Sequence, residues 1–329
     1  MKTNVFKLFI LAISLLLVAA CSSGNTSSQD VSEFPTRDLE IIVPYAAGGT
    51  TDTAARALAS VVGEYLPKKA NVNVVNKAGG GGVIGSMDIY NAKADGYKIG
   101  MNTIGPMTIK PHTDNTAYSY DTFEPIMQVV ATPNVLLVQI DAPWNTYEEW
   151  FEYVKANPGK FTYSTTGAGL TQHITMESFS NETGVELTHV PYDGGAPAIA
   201  ALLGGHVQGS VVQTLEALPH VQSGSVKALI NTGSEIADGF EDVPLLKEKG
   251  VNVASDVWTG LVAPQDTPKE IVAILHEAFK KALEDERVIE TFAKLGVPTK
   301  YASPEEFAEI IKRDYEINGE VLKATGHID

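Results

Sequence analysis

The sequence predicts an α/β protein of two lobes, each a mostly parallel sheet flanked by helices, with strands forming the hinge between them. Three observations carry that expectation. Short β-branched runs alternate with helical patterns along most of the 329 residues. Four of those runs end in loops rich in glycine, serine or threonine and then enter a helix. The two crossings between the α/β sets, at residues 128–134 and 229–233, read as strand rather than as a Gly/Pro/Ser linker. Two strand-like crossings make the first lobe discontinuous, residues 35–130 with 231–329, and leave 131–230 as the second.

The elements follow in order. Lys2 and Lys7 flank the start of an apolar run, "LFILAISLLLV", too short and wrongly flanked for a membrane span; residues 1–20 read as a signal peptide. "VAAC" then resembles a bacterial lipobox, in which Cys21 is lipidated and becomes the mature N-terminus; the alternative is an ordinary secretory signal with Cys21 incidental. Residues 21–34, rich in Ser, Gly and Asn, read as a flexible tether that holds the folded part to a membrane outside the cytoplasm. The first α/β set reads "EIIVPY", a helix from about Asp52, "NVNVVN", a helix from about Gly85, "KIGMNT" and "NVLLVQI". In "NTYEEWFEYVKANPGK", Thr146 and Glu149 form a capping box and Tyr147, Trp150, Phe151 and Val154 one apolar face. The second set reads "KFTYST", a helix over 171–183, "VELTHVPY", a helix over 197–203 and "HVQGSVVQ", followed by "VKALIN" and "WTGLVAP". The C-terminal part is helical, with capping boxes at "TPKE" (267–270) and "SPEE" (303–306) that place Pro first in the helix.

The charge balance limits the partners. With 24 Lys+Arg against 40 Asp+Glu the net charge is −16, so the surface repels phosphate backbones and nucleic acid is not an expected partner. A single cysteine excludes a disulfide framework and a cysteine-based metal site. Any anion must be held locally, by backbone amides or a few donors.

The glycine-rich junctions supply such donors. They are "YAAGGTTD" (45–52), "KAGGGGVIGS" (77–86), "STTGAGLTQH" (164–173) and "YDGGAP" (192–197). Ligands of open parallel sheets sit at the carboxyl ends of strands, where helix N-termini offer free N–H groups and partial positive charge. No lysine follows the glycines of 48–52, so this is not a P-loop, and a carboxylate suits neutral donors better than a triphosphate. Gly80, Gly82 and Gly85 form a Gly-x-Gly-x-x-Gly frame that a glycine run generates by itself; it can equally be a turn packing a helix close to the sheet. Catalytic motifs are absent: no Gly-x-Ser-x-Gly elbow, no His-Glu-x-x-His, and seven scattered histidines. His173 can reach a carboxylate or serve only as a helix-face residue. Asp52 reads as a helix cap, and Arg56 as a salt-bridge residue or a ligand clamp.

"VPYAAGGTTDTAAR", "NKAGGGGVIG", "ADGYKIGMNT", "YSTTGAGLTQH", "THVPYDGGAPAIAALLGGHV", "ALPHVQSGSVKAL" and "WTGLVAPQDTP" stand in the order and spacing of one family. From about Pro35 to the C-terminus the chain resembles the substrate-binding receptors of tripartite tricarboxylate transporters, the Bug-type receptors. The resemblance implies a two-lobed periplasmic-binding-protein fold, type II-like, with no catalysis, no cofactor and no metal. It implies a monomeric receptor that hands a small organic carboxylate to a two-subunit membrane permease. Two loops pinch the ligand in that family. On this chain they match Tyr45, Ala47, Gly48, Gly49, Thr50, Thr51 and Asp52 on one side, and Thr165, Thr166, Gly167, Ala168, Gly169 and His173 on the other. Thr103, Gly105, Tyr192 and Gln213 match further pocket positions.

Two departures bear on the ligand. Gly167-Ala168-Gly169-Leu170 replaces a loop that often carries polar side chains, and Val212 stands where many relatives place an acid. They point to a ligand without an ammonium group and with an apolar portion. Two other function classes stay open on the residues: a receptor that signals through a membrane kinase, and an extracytoplasmic enzyme acting on a phosphorylated or sugar substrate.

Overall fold

In the computed structural model the described residues are 33–254, 256–294, 299–324 and 326–328. The expected signal peptide, the Cys21 lipobox and most of the tether lie outside them. The chain divides into two units, Met1–Phe34 and Pro35–Asp329, and the second holds every element below. In order these are β1 (Leu39–Val43), α1 (Thr50–Val62), β2 (Val72–Asn76), α2 (Val83–Tyr90), β3 (Lys98–Thr103), α3 (Lys110–Thr113), β4 (Phe123–Gln139), α4 (Tyr147–Ala156), β5 (Thr162–Thr165), α5 (Thr171–Thr183), β6 (Thr188–Pro191), α6 (Gly195–Leu203), β7 (Gly209–Gln213), α7 (Thr214–Gln222), β8 (Val226–Asn231), β9 (Asp256–Pro264), α8 (Lys269–Leu283), α9 (Glu286–Lys294), β10 (Thr299–Ala302) and α10 (Pro304–Ala324).

The strands join in the order β2-β1-β3-β9-β4-β7-β5-β6, with β8 and β10 also paired to β4. β2-β1-β3 and β6-β5-β7 are parallel triplets, as the alternating pattern predicts. The centre differs: β3–β9, β9–β4 and β4–β7 are antiparallel, so the sheet as a whole is mixed. The reason is that β4 and β9 run between the two triplets instead of belonging to a β-α-β unit. β4 changes partner midway. Phe123–Pro133 pairs with β9, and Asn134–Val138 pairs with β7, with Val135–Gln139 also against β8. The switch falls at Pro133, which has no N–H to donate to a ladder.

Burial on both faces explains why these strands read as continuous apolar runs. Along β4, Leu136 and Val138 face a cluster with Trp150, Phe161 and Phe179, while Val135 and Leu137 face a second with Ile199, Leu202 and Phe240. A third cluster, with Ile42, Ile89, Trp258 and Phe307, packs the first half of the sheet.

The caps divide in outcome. Ser303 and Glu306 exchange bonds, Ser303 N–H donating to Glu306 Oε2 (2.9 Å) and Glu306 N–H to Ser303 Oγ (3.3 Å). Thr146 Oγ1 accepts from Glu149 N–H at 3.2 Å, but Glu149 Oε2 takes the amide of Asn145 instead of Thr146. At 267–270 no box forms, because Thr267 donates its hydroxyl to the Pro264 carbonyl at 2.7 Å and the helix starts at Lys269.

Candidate functional site

Helices α1, α5, α6 and α7 all start at the carboxyl ends of strands of the two parallel triplets: β1, β5, β6 and β7. Their first turns, with Tyr45 and Thr103, enclose a cavity. It leaves ≈ 20 Å³ for the centre of a water-sized sphere, room for about one water molecule.

The loop between β1 and α1 forms one wall. Gly49 precedes the first helical residue in extended backbone, and Asp52 at the third helical position reaches back to the Gly48 amide at 2.8 Å. Gly48 has φ +89°, a conformation that suits glycine. Asp52 also accepts from Arg56 Nε (3.0 Å) and Asn76 Nδ2 (2.9 Å). Burial pushes its carboxyl up, but the Arg56, Gly48 and Asn76 donors outweigh that and hold it below the usual carboxylate range. Asp52 is therefore a cap and loop anchor, and Arg56 is its salt-bridge partner at 3.0 Å. Tyr45 Oη lies 2.8 Å from Thr103 Oγ1, and burial pushes the phenol pKa up, so it stays neutral.

The loop between β5 and α5 forms the opposing wall. Thr165 is buried, and its hydroxyl meets His189 Nε2 at 2.7 Å and the Gly167 carbonyl at 3.1 Å. Thr166 donates to Gln172 Oε1 at 2.9 Å, and Gln172 Nε2 donates to Asn134 Oδ1 at 3.0 Å. His173 Nδ1 accepts the Gly169 amide at 3.1 Å, and its ring stacks on His189 at 3.9 Å between centroids. Burial depresses both histidines, His189 to about 3. Neutral imidazoles thus hold this loop.

Of the residues expected at the site, Tyr45, Gly49, Thr50, Thr51, Thr103, Gly105, Thr166 and Gln213 line the cavity. Gly167, Ala168 and Tyr192 stand apart from it, at a second opening beside Gly81, Lys110 and Asp114. Ala47, Gly48, Asp52, Thr165, Gly169 and His173 line neither; the last five support the loops from behind through the bonds just described. The four glycines 79–82 all have positive φ, and a Cβ on Gly85 would stand 2.6 Å from Pro44 Cα. That frame serves a turn and close helix–strand packing, not a dinucleotide.

Sequence reasoning missed Leu170, Gly195, Gln172 and Glu216. Leu170 covers Gly105 and Gly167 and forms an apolar wall. Glu216, in the first turn of α7, reaches the start of α1, and its Oε1 accepts the Thr50 amide at 2.9 Å. Burial pushes its carboxyl above the usual range, and the Thr50 amide and hydroxyl and the Gln213 amide only partly offset this. Glu216 Oε2 and Thr50 Oγ1 are buried and make no hydrogen bond of acceptable geometry. Val212, by contrast, is fully buried in the cluster with Val135 and Leu137, outside the cavity. Its identity therefore says nothing about an ammonium group, and the acid in the cleft is Glu216. Among the described residues no cluster of three His, Cys, Asp or Glu can hold a metal, and no helix is long and apolar enough to cross a membrane.

Residues 54–327 match the family described as tripartite tricarboxylate transporter family receptor. The UPF0065 protein in the gbd 5' region of Cupriavidus necator is 33% identical over 297 residues, covering 89% of each chain. The periplasmic binding protein BugD superposes with a TM-score of 0.84 at 33% identity, covering 90% of this chain and 99% of that one. MatC from Rhodopseudomonas palustris with bound malate superposes at 0.81 with 27% identity, covering 88% and 100%.

Proposed function

The chain belongs to the tripartite tricarboxylate transporter receptor family, and from that premise we propose that it captures a small organic carboxylate between two jaws and delivers it to a two-subunit membrane permease. The observation that carries this reading is the convergence of the α1, α5 and α6 N-termini on one cavity lined by Thr50, Thr51, Thr166 and Thr171. Helix dipoles, hydroxyls and helix-start N–H groups beyond the one that Thr50 gives to Glu216 together bind a carboxylate without a lysine or arginine. The malate bound to MatC is an acid of the same class.

Residues 35–130 with 231–329 act as one jaw and 131–230 as the other, pivoting on β4 at Pro133 and Asn134, where the pairing changes partner. A cavity with room for about one water is too small for a dicarboxylate, so the jaws part to admit it. The receptor works as a monomer, without cofactor and outside the cytoplasm, tethered by lipid on Cys21. Cys21→Ser is expected to release it from the membrane fraction.

The test is calorimetric titration of the full-length protein in detergent with citrate, tricarballylate, succinate, malate, adipate, aromatic acids and amino acids. At least one carboxylate binds and raises the melting temperature by mass action. Failure of every acid to bind refutes the reading.

A further inference from the structure

Glu216 is the single ionisable carboxyl among the residues lining the cavity. It comes from the half of the sheet opposite α1, and its Oε1 is already engaged by the Thr50 amide. Oε2 and the hydroxyl of Thr50, a residue only 1% exposed, are both sealed from solvent, and neither makes a hydrogen bond of acceptable geometry, although the Thr50 hydroxyl lies near enough to the carboxyl to favour its charged form. Glu216 and Thr50 both line the same cavity. The fit around them is close: a Cβ on Gly195 would stand 1.9 Å from Oε2, and one on Gly49 would stand 3.0 Å from Oε1. Glycines at both places let the carboxyl lie against the N-termini of α1 and α6.

A ligand carrying only carboxylates would set acceptor oxygens against the Glu216 carboxyl and bring Oε2 no donor. A ligand with a hydroxyl or ammonium beside its carboxylate turns the same acid into a partner. A buried acceptor left unpaired is costly, which makes such a site discriminate strongly against an analogue lacking the donor. We propose that Glu216 is a specificity-determining residue that reads a hydrogen-bond donor on the carbon bearing the ligand's carboxylate. The ligand class is a 2-hydroxy or 2-amino acid. This rests on the carboxylate-receptor reading above. The N-termini of α1 and α5 hold the carboxylate, and Oε2 accepts from the neighbouring donor. The shared chemistry is the donor; the experiment separates its two sources.

The test titrates the full-length protein in detergent with succinate, malate and aspartate, which differ only in hydrogen, hydroxyl or ammonium at one carbon, and with tricarballylate against citrate. At least one donor-bearing acid is expected to bind about tenfold or more tighter than its plain counterpart, with that ratio falling toward one in Glu216→Gln. Whether malate or aspartate leads assigns hydroxyl or ammonium. Equal affinities within the trio and the pair overturn the proposal. So does a ratio that survives in Glu216→Gln, because another group then reads the donor. Undiminished binding of every acid by Glu216→Gln also overturns it, showing that a protonated Glu216 donates to the carboxylate instead. If a thermal melt shows Glu216→Gln unfolded, the wild-type ratios decide, with Glu216→Asp, one methylene shorter, expected to lower them. No binding by any carboxylate refutes the carboxylate reading itself, a result distinct from equal binding.

Discussion

The loop between β1 and α1 and the loop between β5 and α5 share a plan: each leaves a parallel strand and reaches threonines at or beside a helix start through glycine. What holds them differs. Asp52 and Arg56 lock the first with a charge-assisted network whose carboxylate takes three donors. Thr165, Gln172, His173 and His189 lock the second with neutral groups, two of them stacked imidazoles. Similar loop sequences can thus be rigid for different reasons, and the difference decides what disturbs each. An ionised carboxylate below its usual pKa tolerates mild acid; an imidazole accepting an amide does not.

The largest test of this contrast is Asp52→Ala. It strips an acceptor from the Gly48 amide, Arg56 and Asn76, and is expected to cost about 2–3 kcal/mol in urea unfolding, a loss moderated by the exposed Arg56. His189→Phe removes one neutral bond to Thr165 and should cost about 1 kcal/mol. Equal losses would erase the distinction between the jaws. Next is Gly195→Ala: a Cβ 1.9 Å from Glu216 Oε2 forces that side chain away from Thr50 and should weaken ligand binding about tenfold by calorimetry. Thr51→Val and Thr166→Val follow, each expected to weaken binding by about 1 kcal/mol with the fold intact. Thr166→Val should show the larger effect, because it also strips a donor from Gln172.

The smallest effect is the response to pH: both loops lose stability as pH falls, and the window in which they do so separates them. His173 and His189 are depressed below 6.5, so their contribution is fully present above 6.5 and is lost as pH falls toward about 3. Protonation turns His173 Nδ1 from acceptor to donor and breaks its bond to Gly169. Asp52 is also depressed, but its contribution is present above 3.8 and is lost only below that. Glu216 is raised, so it favours the fold below 4.5 and opposes it as pH rises through its elevated value. Hydrogen exchange corrected for intrinsic rates should show amides 167–169 losing protection a few-fold between pH 6.5 and 4, with Gly48 protected throughout. Parallel loss at both loops would show that the two anchors respond alike.

Much of this molecule is legible in the residues. Runs such as Leu39–Val43 and Gly209–Gln213 are too short and too β-branched for helices, and glycine before threonine marks the turn into the helix that starts at Thr50. Thr171–Thr183 matches its predicted span, because extended backbone at Leu170 and left-handed Gly184 bound it. The antiparallel centre was not legible, since pairing direction depends on which distant strand arrives alongside. Nor was Glu216, which sits in "TLEALPH" and looks like any solvated helix residue. Val212 misled for the complementary reason: alternation along β7 turns it into the core.

By itself the sequence determined local geometry: strand and helix periods, glycines where backbone must turn or approach closely, and the donors offered at each helix start. These depend on residues within one or two turns of one another. Only the tertiary structure decided which of those donors meet. The Thr50 amide and the Glu216 carboxylate are 166 residues apart in the chain, and Ala46 bonds Asp193 across the same cleft. No local propensity encodes such a meeting. It follows from the whole sheet closing around β4, which sets helix ends from both halves against each other and makes a lone glutamate the acid in the cleft.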